Sequence, residues 1–165
     1  MVMHRLILLC VFALLWLPGC ASSGPDPREF SVRNHAADDI FREVTRFAQT
    51  RGFRPDPKET DAGRRLFVAR WRGGADPIIG RNGGRRTRMH AEVVRSELPE
   101  GWKILYYFER QQVTTRGRGM TPTDDDWEAA GQDLSLEQQF AYVMSYTFHG
   151  TGIGTGVQEK PRKGR

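Results

Sequence analysis

The chain of 165 residues, less any leader, has the length of one domain of ordinary size, with enough apolar content for a single core. Its 25 Lys+Arg against 20 Asp+Glu leave a formal net charge of +5, which permits attraction to anionic envelope polymers, lipid head groups or nucleic acid and demands none of them. With two cysteines, one of them inside an apolar leader, the composition excludes an internally disulfide-bonded exported domain.

Arg5 and the amino terminus form a short basic head, followed at 6–17 (LILLCVFALLWL) by an apolar run of twelve residues. Twelve helical residues rise about 18 Å, short of the roughly 30 Å hydrocarbon core, so the run reads as a signal peptide and not as a membrane span. Leu17-Pro18-Gly19-Cys20 then resembles the lipobox of bacterial lipoproteins, with Leu three places before the cysteine and Gly directly before it. The resemblance implies that residues 1–20 are the signal segment and that Cys20 carries the lipid. Cys10 lies within that segment, so Cys20 is the only thiol left for an anchor. Pro18 departs from the small or medium residue usual at its place, and cleavage after Ala21 or Ser23 by an ordinary signal peptidase is the alternative, giving a soluble secreted protein. Ala21 is not Asp, which under the sorting rule of enteric lipoproteins implies the outer membrane, on its periplasmic side. Loss of Arg5 takes Lys+Arg from 25 to 24 against 20 Asp+Glu, a net charge of +4.

Residues 21–33 contain Gly24, Pro25 and Pro27 with little periodicity and read as a tether. The folded part is expected over 34–150. Asn34 is placed to cap a helix with Ala37, Ile40, Phe41, Val44, Phe47 and Ala48 on one face, ended by Arg51-Gly52-Phe53. A strand at 66–72 sets Phe67, Ala69 and Trp71 on one side and Leu66, Val68, Arg70 and Arg72 on the other. A glycine-rich loop at 73–85 leads to a strand at 86–96, with Thr87, Met89, Ala91 and Val93 against Arg86, Arg88, His90 and Glu92. After a Glu100-Gly101 turn, a strand at 102–115 alternates Trp102, Ile104, Tyr106 and Phe108 with Lys103, Tyr107, Glu109 and Gln111. Thr123 and Asp126 suggest a capping box for a short turn carrying Trp127, and Ser135 with Gln138 starts a second helix whose stripe is Leu136, Phe140, Val143, Met144 and Thr147, stopping at Gly150. Residues 151–165, glycine-rich and then basic, read as a disordered tail. The pattern predicts an α+β two-layer sandwich: an antiparallel sheet of three or four strands with two helices on one face.

Arg51-Gly52-Phe53, Asp61-Ala62-Gly63 and Leu66-Phe67-Val68-Ala69-Arg70-Trp71 together look like the opening of helix-grip modules in the NlpB/DapX lipoproteins of the outer-membrane barrel-assembly machinery. The later strand order, the isolated Trp127 and the closing helix also fit, so the likeness spans one module, 36–150. It implies a binding or scaffolding role.

No catalytic constellation stands out. His35, His90 and His149 fall in no HExxH motif, and no serine lies in GxSxG. His90 and Glu92 share a strand face and Glu109 on the next strand could join them as an acid–base or metal cluster; a solvated ion-pair row with Arg88, Arg70 or Lys103 is the plainer reading. Asp124-Asp125-Asp126 reads as helix-start electrostatics before it reads as a cation site. Gly152-Ile153-Gly154-Thr155-Gly156 lacks both P-loop and dinucleotide-binding context. Arg70, Arg72, Arg86 and Arg88, with Arg81 and Arg85 in the intervening loop, form a candidate anion-binding face, against which stands the plain role of keeping an exposed sheet soluble.

The expectation is therefore a non-catalytic, lipid-anchored envelope lipoprotein that binds or scaffolds an envelope protein partner, with no cofactor. Two alternatives remain open: a binder of an anionic envelope polymer through the arginine face, and a small hydrolase using His90, Glu92 and Glu109. Nucleic acid is not an expected partner of an exported chain with Tyr107 as the lone stacking residue on that face.

Overall fold

A computed structural model describes residues 25–74, 84–97, 99, 101–113 and 122–150. The expected signal segment with Cys20, the expected loop with Arg81, and the glycine-rich basic stretch 151–165 lie outside the described residues.

The fold is α+β in two layers. Its strands are β1 (Arg28–Arg33), β2 (Leu66–Val68), β3 (Arg72–Gly74), β4 (Arg85–Arg95), β5 (Gly101–Val113) and β6 (Trp127–Gln132); its helices are α1 (Ala37–Thr50) and α2 (Leu134–His149). The long antiparallel pair β4 and β5 forms the middle of the sheet. Along the outer edge of β5, β1 pairs with its first half and β6 with its second; along the outer edge of β4, β2 and β3 divide the length likewise. Among the described residues six strands thus make a sheet four strands wide, where the alternation predicts three or four strands.

The alternation in β4 and β5 decides the layering. Met89, Ala91, Val93, Ile104, Tyr106 and Phe108 are buried on one face together with Ile40, Val44 and Phe47 of α1 and Phe140 and Met144 of α2. Phe140 lies at the centre, its ring 5.0 Å from that of Phe47 and 4.3 Å from that of Tyr106. Both helices therefore cover one face, and among the described residues the other carries no helix.

α1 ends as the sequence requires. Gly52 takes φ 77, its N–H reaches Gln49 O at 2.9 Å, and Phe53 N–H reaches Ala48 O at 2.9 Å, so Phe53 folds back into the core. The start differs from expectation: Ala36 occupies the cap position with no side-chain bond, and Asn34 sits two residues earlier at φ 60. α2 begins one residue before Ser135, with Asp133 as its cap accepting the Leu136 N–H.

Two further departures matter. The predicted tether is a strand in its second half: Phe30 and Val32 are fully buried and β1 pairs with β5 from Arg28↔Tyr106 to Arg33↔Gly101. Two apolar residues alternating over six positions, just after Pro25 and Pro27, give too short a pattern to outweigh the breakers. The predicted strand over 66–72 is two strands separated by a bulge. Leu66 pairs with Glu92 and Val68 with His90, whereas Arg72 pairs with Thr87 and not Arg86. One extra residue is accommodated there, and every side chain beyond it changes face.

Candidate functional site

The bulge builds the most distinctive feature of the open face. Trp71, expected on the core side, turns outward, and Arg72, expected outward, turns to the helix side, its guanidinium 4.3 Å from the centroid of Phe53 and donating to the Arg51 carbonyl. Beyond the bulge, Gly73 at φ 107 brings β3 close against β4: a Cβ there would stand 2.4 Å from Arg85 O, so only glycine fits. Trp127, the first residue of β6, reaches the same face from the other edge. It is positioned by a capping box in which Thr123 N–H and hydroxyl bond Asp126 Oδ2 at 2.8 and 2.9 Å.

Between the two indoles lies Arg86. Its guanidinium carbon is 4.7 Å from the Trp71 ring and 4.4 Å from the Trp127 ring. Its Nε donates to Gln111 Oε1 at 2.8 Å and its Nη1 to Asp124 Oδ1 at 3.1 Å. Arg88, one rung on, has its guanidinium carbon 4.8 Å from the Trp71 ring centroid, with Nε on Glu109 Oε2 at 2.9 Å and Nη1 on Glu59 Oε1 at 3.3 Å. The next rung is His90 stacked on Tyr107, ring centroids 4.3 Å apart and 11° from parallel.

These contacts set the electrostatics. Glu109 is held down to about 2, by His90 first and by the bonded Arg88, against the opposing effect of burial. His90 Nε2 is 3.5 Å from Glu109 Oε2, at the limit of hydrogen-bond distance and without well-directed geometry. Burial, and then the neighbouring Glu109 charge, raise the Tyr107 hydroxyl. A carboxylate near 2 is a weak proton acceptor at neutral pH. Glu92 stands opposite Leu66 and Leu105 and enters none of the ion pairs of this cluster.

Of the four candidate anion-binding arginines, Arg86 and Arg88 share the open face, and both are partnered by acids from elsewhere in the chain. Arg72 is on the helix side, and Arg70 is exposed at the bulge. The acidic run is likewise committed, Asp124 to Arg86 and Asp126 to Thr123, and among the described residues no group of three or more His, Cys, Asp or Glu is arranged to hold a metal ion.

A second ion pair, which the sequence reading missed, lies on the core side. Between the start of β1 and the end of β6 there is a seam in the outer edge of β5, leaving Phe108 without a strand partner on that side. α2 closes it: Asp133 N–H donates to Phe108 O at 2.8 Å, and Phe108 N–H donates to Glu137 Oε1 at 3.3 Å. Glu137 is fully buried, with Arg28 Nε 2.7 Å from its Oε2, close enough for an ion pair though the N–H is not aimed well for a hydrogen bond. Burial raises the Glu137 carboxyl, while the Phe108 N–H and Arg28 pull it down. Tyr106 beside it is pushed up to about 12 by burial, and its hydroxyl finds no hydrogen-bond partner among the described residues. The signal was present in the sequence: Glu137 stands three and four places before Phe140 and Ala141, on the inner stripe.

No family model, no curated protein and no solved structure matches this chain.

Proposed function

We propose that the chain is an exported lipoprotein, anchored through Cys20 on the periplasmic side of the outer membrane, whose domain is a non-catalytic module binding an envelope protein. The observation that carries the binding role is the Trp71–Arg86–Trp127 clamp on a sheet face bearing no helix. Large rigid aromatics with an arginine held between them are the residue types that anchor protein interfaces. The arginines beside them are already neutralised by Asp124, Glu59 and Glu109, which suits a protein surface better than a polyanion. The low proton affinity of Glu109 weighs against general-base chemistry at His90 and Glu109. The resemblance to barrel-assembly lipoproteins makes a subunit of an outer-membrane assembly the natural kind of partner.

The test is crosslinking and gentle co-purification of the native chain beside Trp71→Ala and Trp127→Ala, with intact mass of the N-terminal peptide. A lipid-modified Cys20 and a partner lost from either variant are expected, hot-spot truncations of this kind costing about 2 kcal/mol or more in binding. An unmodified N-terminus beginning at Ser22 or Gly24 would overturn the anchor, and undiminished capture by both variants would overturn the binding face. The polymer reading retains the exposed Arg70 and Arg85, and it predicts binding that falls steeply with salt.

A further inference from the structure

The outward faces of the two helices differ in a way the core does not require. α1 exposes Asp38, Asp39, Arg42 and Arg46, the ordinary dress of a solvated helix. α2 exposes Leu134, Ser135, Gln138, Gln139, Tyr142, Tyr146 and His149, with no Asp, Glu, Lys or Arg among them. Leu134, Tyr142 and Tyr146 are 55%, 58% and 66% exposed, and they are the exposed large hydrophobic residues of the described chain. Tyr142 and Tyr146, four apart, stand one above the other on the helix surface. The single acidic residue of α2 is turned into the core.

We infer that this face of α2 rests on the surface of the lipid bilayer, with the tyrosines at the depth of the head groups. The inference rests on the anchoring of Cys20 proposed above. Its first support is the chain between anchor and domain: eight residue steps separate Cys20 from Arg28, at most about 28 Å when extended and about 16 Å on average for a flexible linker. Its second is where that chain enters. Arg28 is ion-paired to Glu137 in the first turn of α2, so the tether joins the domain beside Leu134, at the end of the uncharged face. The sixteen residues of α2 span about 24 Å, so the tether at its average span is shorter than the helix it delivers. Its third is chemistry: tyrosine, with an apolar ring and a hydroxyl that wants a polar partner, is the side chain enriched at membrane–water interfaces, and a face without charge needs no anionic lipid. With α2 against the bilayer, the sheet on its inner side turns the Trp71–Arg86–Trp127 face away from the membrane.

The experiment couples the mature chain through the Cys20 thiol to maleimide lipid in phosphatidylethanolamine and phosphatidylglycerol vesicles, which holds the natural tether length whatever processing occurs in cells. Quenching by brominated acyl chains is read for the parent, whose Trp71, Trp102 and Trp127 set the background, and for Tyr146→Trp. The added indole is expected to be quenched more than the background. Twenty Gly/Ser residues inserted after Ser23 are expected to lower the local concentration of the face at the membrane about sixfold, with a matching loss of the extra quenching. Tyr142→Glu in the Tyr146→Trp chain should abolish it, the carboxylate being repelled by the anionic lipid, with the circular dichroism of the parent retained. Equal quenching of parent and variant would overturn the proposal, as would capture of a protein by the anchored chain that protects Tyr146 with no quenching. An unlipidated N-terminus in cells would defeat the anchor alone; a lipidated one without extra quenching would defeat the membrane face alone.

Discussion

Two of the arginine–glutamate pairs among the described residues, nearly equal in length and on opposite faces of β5, behave oppositely. Arg88 and Glu109 meet at 2.9 Å on the open face, where His90 stands beside the carboxylate and both side chains are partly exposed; the carboxyl is lowered to about 2. Arg28 and Glu137 meet at 2.7 Å inside the core, where one main-chain N–H and one guanidinium do not offset the lost hydration, and the carboxyl is raised. The lesson is that pairing alone does not set the stability of a carboxylate: the number of donors set against the depth of burial does.

The largest effect should come from Arg28→Ala, which leaves a buried carboxylate without its cation. A loss of about 3–5 kcal/mol is expected in urea unfolding, and Arg28→Ala with Glu137→Gln should recover part of it. Arg28→Leu with Glu137→Leu should come close to the parent, or exceed it, because two apolar groups replace a pair that is costly to bury; a double variant as unstable as Arg28→Ala would show that the pair contributes more than its own neutralisation.

The pH dependence separates the pairs next. Glu109, lowered in the folded state from 4.5, contributes stability that is present above about pH 4.5 and lost as pH falls towards 2. Glu137, raised in the folded state, contributes stability that is full below 4.5 and lost as pH rises through its folded value. Glu109→Gln should therefore flatten the acid limb of a stability–pH curve, and Glu137→Gln should flatten the decline above 4.5. Both variants changing the same limb would break the comparison.

The smallest effects belong to the open face. Arg88→Gln is expected to cost about 1 kcal/mol or less near neutral pH, as exposed pairs do. His90→Ala should raise the Glu109 carboxyl, read by carbon-13 chemical shift during titration, with little change in unfolding midpoint.

The helices and the long strands were legible in the sequence because each carries its period over many positions: six apolar residues of α1 repeat on one face, and in β4 the buried Met89, Ala91 and Val93 alternate with Arg88, His90 and Glu92. The shorter strands were not. β1 has two inward residues behind two prolines, and β6 (WEAAGQ) has no alternating apolar pattern and is held by pairing with β5. The arginine row was read correctly at Arg86 and Arg88 and wrongly at Arg72, because a single extra residue at a bulge reverses the parity of everything after it. The acids that neutralise the row, Glu59 and Asp124, stand 29 and 38 residues away from their arginines, at distances that local periodicity does not reach.

The seam in the edge of β5 has a mechanical side. Any pull on residues 25–27 is delivered first to Arg28, where the backbone rung to Tyr106 and the ion pair to Glu137 lie together. An edge strand gripped by its ladder alone would peel one rung at a time from that end. Here the first rung is clasped to α2 as well, and α2 is fastened to β5 through Asp133 and Glu137 at Phe108. The load is divided between strand and helix and brought back together in the central strand, so the point where the chain enters its domain is also where that domain is best braced against being unzipped.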